Sequence, residues 1–141
     1  MILNALLYVA EADFLKNKKL NCFFVVCKPE FSVSTPVLFR KIDEVSILER
    51  PNHDEMEHAL TEGDLEKVAR NVFNVFDPVV TADHPELNDI KAVFCDYGAM
   101  VGQMTGSGSA TFAIVDDPLS AVAISGVLKK DYKDIFVCKP V

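Results

Sequence analysis

Residues 101–115 read VGQMTGSGSATFAIV. Val101 to Met104 and Thr111 to Val115 are short runs rich in apolar and β-branched side chains, which predicts two strands. Between them lies Thr105-Gly106-Ser107-Gly108-Ser109. Two glycines alternating with hydroxyl residues let a backbone turn tightly and come close to a ligand. Successive N–H groups in such a turn form a nest suited to phosphate oxygens. By itself the pattern also describes a Gly-Ser hairpin turn, which needs no ligand. It is not a P-loop, because no Gly-Lys-Ser/Thr follows and no helix starts there.

On the C-terminal side, Asp117-Pro118 predicts a helix start, with Asp116 and Asp117 as cap residues and Ala121, Val122, Ile124 and Leu128 facing inward. Ile135 to Cys138 reads as a last strand. On the N-terminal side, Cys22 to Cys27 (CFFVVC) is a continuous apolar run that predicts a buried central strand. A further strand over residues 5–10 is expected before it. Thr35 is expected to cap a helix with Pro36 at its first position and Val37, Leu38, Phe39 and Ile42 along it. A short helix over residues 55–60 should end near Gly63. Asp64 should cap another, whose stripe of Leu65, Val68, Ala69, Val72, Phe73 and Phe76 keeps helical spacing. Asp83, with Glu86 as capping-box partner, predicts a helix bearing Leu87, Ile90, Val93, Phe94 and Tyr97, closed by Gly98 in a left-handed cap. Without the extra central helices the order is β-α-β-β-α-β. That predicts an α+β, ferredoxin-like domain, an antiparallel sheet with helices on one face.

The 141 residues suffice for one domain with its own core. Half of them are hydrophobic and the mean hydropathy is +0.18, so the chain is not a disordered polymer. That apolar content also fits a surface meant for another domain or subunit. A net charge of −7 and a pI near 4.9 repel phosphate backbones, which speaks against nucleic-acid partners. No apolar run has the length of a membrane span, and the first ten residues lack the basic start of a signal peptide. A cytoplasmic location with reduced thiols at Cys22, Cys27, Cys95 and Cys138 is therefore expected. Cys22 and Cys27 stand five apart in a strand, so they point to opposite faces and do not share a metal. Buried apolar cysteine is the expected reading of the pair. His53 and His58 are also five apart, which does not stack two ligands on one helix face. No metal site is expected, and the histidines read as exposed. Nothing resembles a Ser-His-Asp or Cys-His constellation. Asp54, Glu55 and Glu57 read as favourable charge at a helix N-terminus. Phe31 and Phe39 read as core, although aromatics near a Pro-rich turn can also stack on a base.

Several segments together resemble one family. Lys28-Pro29-Glu30-Phe31-Ser32-Val33-Ser34-Thr35 resembles the KPxxxVST segment of diphosphocytidyl-methylerythritol kinases, members of the GHMP superfamily. Ala59-Leu60 with Gly63-Asp64, then Asn74-Val75-Phe76-Asp77, then Tyr97-Gly98-Ala99 follow in the same order. Met104 to Ser109, leading into Thr111-Phe112-Ala113, looks like the third GHMP motif, the glycine-rich loop of the C-terminal domain. The tail Tyr132-Lys133-Asp134-Ile135-Phe136-Val137 is also similar.

The resemblance implies a domain over residues 21–141, with residues 1–20 as the remnant of an interdomain strand. It implies ATP-dependent transfer to a hydroxyl of a cytidine-diphosphate-linked methylerythritol in non-mevalonate isoprenoid biosynthesis. Thr105, Gly106, Ser107, Gly108 and Ser109 would face the phosphates. Phe39 matches an aromatic that stacks on cytosine, with Thr35 and Arg40 nearby. Family kinases carry a preceding domain with a second phosphate loop and the catalytic Asp and Lys, and no such loop occurs in this sequence. The expectation is a C-terminal half without catalytic residues of its own, inactive alone and not binding ATP and Mg2+ unaided. Its partner would be an N-terminal GHMP kinase domain or a second copy. The alternatives are a self-associating relic module, or half of another GHMP kinase of the mevalonate or homoserine type.

Overall fold

The computed structural model describes residues 20–46 and 49–140; the expected strand over residues 5–10 and almost all of the expected interdomain remnant lie outside this range. At the centre runs β1 (Phe23–Lys28). It pairs antiparallel with β3 (Thr111–Val115), Val25 opposite Ala113, and with β4 (Asp134–Cys138), Val25 opposite Val137. The sheet is completed by β2 (Val101–Met104), antiparallel to β3 with Met104 opposite Thr111. The order β2-β3-β1-β4, all antiparallel, is that of the ferredoxin-like fold read from the pattern.

Six helices occupy the described residues: α1 (Thr35–Glu44), α2 (His53–Glu62), α3 (Leu65–Asn71), α4 (Asp77–Asp83), α5 (Glu86–Asp96) and α6 (Pro118–Leu128). On one sheet face, Val25, Cys27, Ala113 and Val115 meet Leu38 and Ile42 of α1, Val80 of α4, Leu87, Ile90 and Phe94 of α5, and Ala121, Ile124 and Leu128 of α6. Strand alternation sends Phe24, Val26, Phe112 and Ile114 to the other face. There they meet Met56, Ala59 and Leu60 of α2 and Val68 of α3. The two crossover helices α5 and α6 thus share one face as expected, and two of the extra helices cover the other. This is why β3 is buried at every residue. Cys22 and Cys27 belong to opposite cores, as their spacing requires.

Capping explains several boundaries. The Asp64 side chain accepts from Lys67 N at 3.1 Å, and Asp117 accepts from Leu119 N at 2.9 Å. Gly63 and Gly98 close α2 and α5 with φ of 68° and 96°.

Other local expectations are corrected. Ser34, not Thr35, is the N-cap of α1, and Thr35 is the first helical residue. The stripe from Leu65 to Phe76 is not one helix. It stops at Asn71, and Phe76 crosses to the opposite core, leading into α4, whose Asp77-Pro78 start is a helix signal of its own. Asp83 ends α4 rather than starting α5, because its carboxylate is bonded to Lys41 and Pro85 stands at the N-cap of α5. Val122 faces solvent, and Val37, Phe39 and Tyr97 are also substantially exposed. Cys95 and Cys138 are exposed, whereas Cys22 and Cys27 are buried. His84 is not free on the surface: its ring stacks on Phe31, centroids 3.9 Å apart and planes within 6°.

Candidate phosphate-facing loop

Thr105 to Ser109 joins β2 to β3 at the end of the sheet. Gly106 and Gly108 have φ of 47° and 92°, the left-handed region that makes the turn possible. The loop closes on itself through Gly108 N to Thr105 O at 2.9 Å and Thr105 N to Ala110 O at 2.8 Å. Among the described residues, the amides of Gly106 and Ser107, at the part-exposed tip of the loop, form no hydrogen bond, so they are available as donors.

Burial marks this loop out. The buried polar or charged residues among those described are Asn74, Asp77, Ser109, Thr111 and Ser125. All but Ser125 bond to the loop or its flanks, and buried polar groups are costly unless fully paired. Ser109 Oγ donates to Phe31 O at 2.7 Å, and Thr111 Oγ1 donates to Ser109 O at 3.2 Å. Asn74 Nδ2 donates to Met104 O and to Gly106 O, each at 2.8 Å, while its Oδ1 accepts from Phe76 N at 2.9 Å. Asp77 accepts from Met104 N at 2.7 Å, from Lys91 Nζ at 2.6 Å and from Thr81 Oγ1 at 3.0 Å.

Of the residues assigned to the substrate side, Thr35 reaches the loop: its Oγ1 stands 3.5 Å from Ser107 Oγ. Phe39 lies one turn further along α1, half-exposed, its edge against Phe76 with centroids 5.3 Å apart. Thr35 and Phe39 therefore share one side of α1. Arg40, the next residue, is exposed.

Sequence reasoning missed the roles of Asn74, Asp77 and Lys91. A usable signal was present, since Asn74 and Asp77 are the two polar residues of the stretch VFNVFDPVV, where only specific bonding would tolerate them. The carboxylate bonded to this region, Asp77, has both oxygens engaged. Among the described residues no cluster of His, Cys, Asp or Glu is arranged to hold a metal ion, so the Mg2+ implied by the resemblance does not fit the residues around this loop.

A central antiparallel sheet, helices on both faces and a glycine–serine loop bonded into buried polar side chains define a ferredoxin-like α+β domain. The chain matches the family described as GHMP kinases C terminal over residues 56–134, and it belongs to that family. It is 37% identical over 121 residues to the 4-diphosphocytidyl-2-C-methyl-D-erythritol kinase of Clostridium kluyveri, a match covering 86% of this chain and 43% of the relative. The chain thus spans under half the length of the curated relatives it matches. Among solved structures, a homoserine kinase from Cytophaga hutchinsonii is similar at TM-score 0.65 and 20% identity, covering 86% of this chain and 42% of the other. A 4-(cytidine 5'-diphospho)-2C-methyl-D-erythritol kinase is similar at TM-score 0.63 and 21% identity, covering 82% and 41%. At those identities the two structures speak to the fold alone.

Proposed function

We propose that this chain supplies the C-terminal, third-motif half of an ATP-dependent kinase. The acceptor would be a hydroxyl of cytidine-diphosphate-linked methylerythritol, in isoprenoid biosynthesis by the non-mevalonate route. The observation that carries the reading is the 37% identity to a kinase of that name over 86% of the chain. The free amides of Gly106 and Ser107 support a phosphate-facing role for the loop from Gly106 to Ser109. The exposed ring of Phe39, on the same side of α1 as Thr35, supports a role against the cytosine, with Arg40 beside it.

Phosphoryl transfer rests on positioning and on neutralising charge at the transferred group. In the whole kinase, bound ATP would supply the phosphoryl group and Mg2+ would offset its charge. The part of this chain is to donate backbone hydrogen bonds to phosphate oxygens and to hold the cytidine end. The described residues provide neither a metal-binding carboxylate set nor a base at the loop. Those groups would come from an N-terminal GHMP kinase domain, and the chain is inactive without one. Among the described residues no helix is long and apolar enough to cross a membrane, and a cytoplasmic setting suits a biosynthetic role of this kind.

The test is a coupled ADP-release assay with the cytidyl-methylerythritol substrate, run on the chain with and without the N-terminal portion of a relative. Turnover only on mixing supports the reading. Turnover by the chain alone would overturn the division of labour. No turnover in either case, with no cytidine-nucleotide binding, would overturn the functional assignment.

A self-associating module is the second reading. It is favoured by the apolar side chains that α6 and β4 leave in solvent, Leu119 at 76%, Val122 at 69% and Phe136 at 59% exposure. Sedimentation of the purified chain would separate a monomer from a dimer.

A further inference from the structure

Among the described residues β2 is an edge strand, and its last residue is bonded on the side away from β3. Thr105 N–H bonds across to Ala110 O, so alternation along the ladder turns the N–H and C=O of Met104 away from β3. At an ordinary edge these two groups face water. Here both are taken by side chains: Asp77 accepts from the N–H at 2.7 Å and Asn74 donates to the C=O at 2.8 Å. The second Nδ2 proton of Asn74 goes to Gly106 O, two residues on and inside the glycine-rich loop.

We infer that Asn74 and Asp77, with Lys91 behind them, are positioning residues that act in place of a neighbouring strand along β2 and fix the glycine-rich loop relative to the sheet. This rests on the reading of the loop as phosphate-facing and deepens it. The donor–acceptor inventory makes the pair specific. Only a primary amide offers two N–H protons to two carbonyls while its oxygen caps a backbone N–H, as Asn74 does at Phe76. Asp77 suits the acceptor role, because Met104 N, Lys91 Nζ and Thr81 Oγ1 all donate to it. Lys91 supplies the counter-charge from α5 and is the more accessible member, its side chain 21% exposed against 5% for Asp77. Gln103 joins the set: with its amide turned, its N donates to Asp77 Oδ2 at 2.8 Å and its O accepts from Asn74 N at 3.1 Å. The connection between α3 and α4, the first residue of α4 and the middle of α5 thus converge on the loop's N-terminal stem, while Ser109 ties its C-terminal stem to Phe31. The middle of the loop, Gly106 and Ser107, is left with free amides held between two fixed stems.

The experiment is amide hydrogen exchange by NMR on the full chain, comparing wild type with Asn74→Ala, Asp77→Asn and Lys91→Met. Faster exchange by tenfold or more at the bonded amides of Thr105 and Gly108, with Val25 and Val26 changed only by the factor that each variant's global destabilisation sets, supports the inference. Unaltered loop exchange and unaltered loop chemical shifts in all three variants would overturn it. Uniformly faster exchange in the loop and β1 alike would also overturn it, as the mark of a merely structural role. Should Asn74→Ala fail to fold, Lys91→Met decides by the same criterion. A parallel titration with inorganic tripolyphosphate keeps the two readings apart. Lack of any shift at residues 106–109 in wild type would count against the phosphate role and leave the exchange data to judge the clamp.

Discussion

Lys91 and Asp77 form an ion pair of 2.6 Å between the middle of α5 and the first residue of α4, with the carboxylate almost fully withdrawn from solvent. Removing one partner leaves the other buried charge uncompensated. Lys91→Met is expected to destabilise the chain by about 3 kcal/mol. Equilibrium urea unfolding measures this, and a loss below about 1 kcal/mol, the range of exposed pairs, would mean that the pair is effectively solvated.

Two glycines make a contrasting pair of tests. A Cβ at Gly102 would stand 2.7 Å from Phe94 Cδ2, in the core. Gly102→Ala should therefore cost about 1–3 kcal/mol through overpacking, and adding Phe94→Leu should recover part of it. A Cβ at Gly106 would meet nothing within 4 Å, but φ there is 47°. Gly106→Ala should cost about 1–2 kcal/mol from backbone conformation alone, with Gly106→Asn milder. Thermal melting of the four variants separates crowding from strain.

Phe39 is 49% exposed, so its truncation should scarcely affect folding, by about 1 kcal/mol or less. Any preference of the chain, alone or reconstituted, for cytidine over other nucleotides should disappear in Phe39→Ala. Calorimetric titration with CDP measures it. Unchanged CDP affinity in the variant would remove Phe39 from the site.

The cysteines divide into two reactive classes. Burial pushes Cys22 from 9.0 up to about 11, helped by nearby Cys138, and pushes Cys27 up to about 12, helped by Glu86 and Asp134. Both should resist iodoacetamide at pH 8 until the chain unfolds, while exposed Cys95 labels first. The same shifts set an alkaline limit. The folded chain holds these two thiol protons more tightly than the unfolded chain does. Their contribution to stability is complete below pH 9.0 and is lost as pH rises toward 11–12. Tyr132, raised from 10.0 to about 12 by burial and by Glu86, acts in the same direction. Urea midpoints measured across that range test the sign, and a midpoint rising with alkali would contradict it.

The sheet was legible because its signals are local. β2 and β3 are bounded by the same residues that end their apolar runs, and the opposite directions of Cys22 and Cys27 follow from counting alone. The loop was recognisable as a candidate because glycine at positive φ is a backbone requirement written in a single letter. Its supports were not recognisable in this way. Asn74 bonds to Met104 across a separation of 30 residues, and the apolar stretch that marks Asn74 as unusual does not name so distant a partner. Helical spacing carried the expected stripe past Asn71 because spacing alone cannot show that Phe76 belongs to the opposite face of the sheet. The exposure of Val122 was hidden for a related reason. α6 is apolar all round, so its inward side cannot be told from its outward side.

The side chains that grip Met104 also have a bearing on how the sheet could grow. A strand arriving at the loop end of β2 would find its hydrogen-bonding groups already occupied, so no neighbouring molecule can zip onto the sheet there. β4, at the opposite edge, carries the half-exposed Phe136 and Val137 and has no such stopper among the described residues. Among the described residues, the sheet edge left without such a stopper is therefore the one away from the loop.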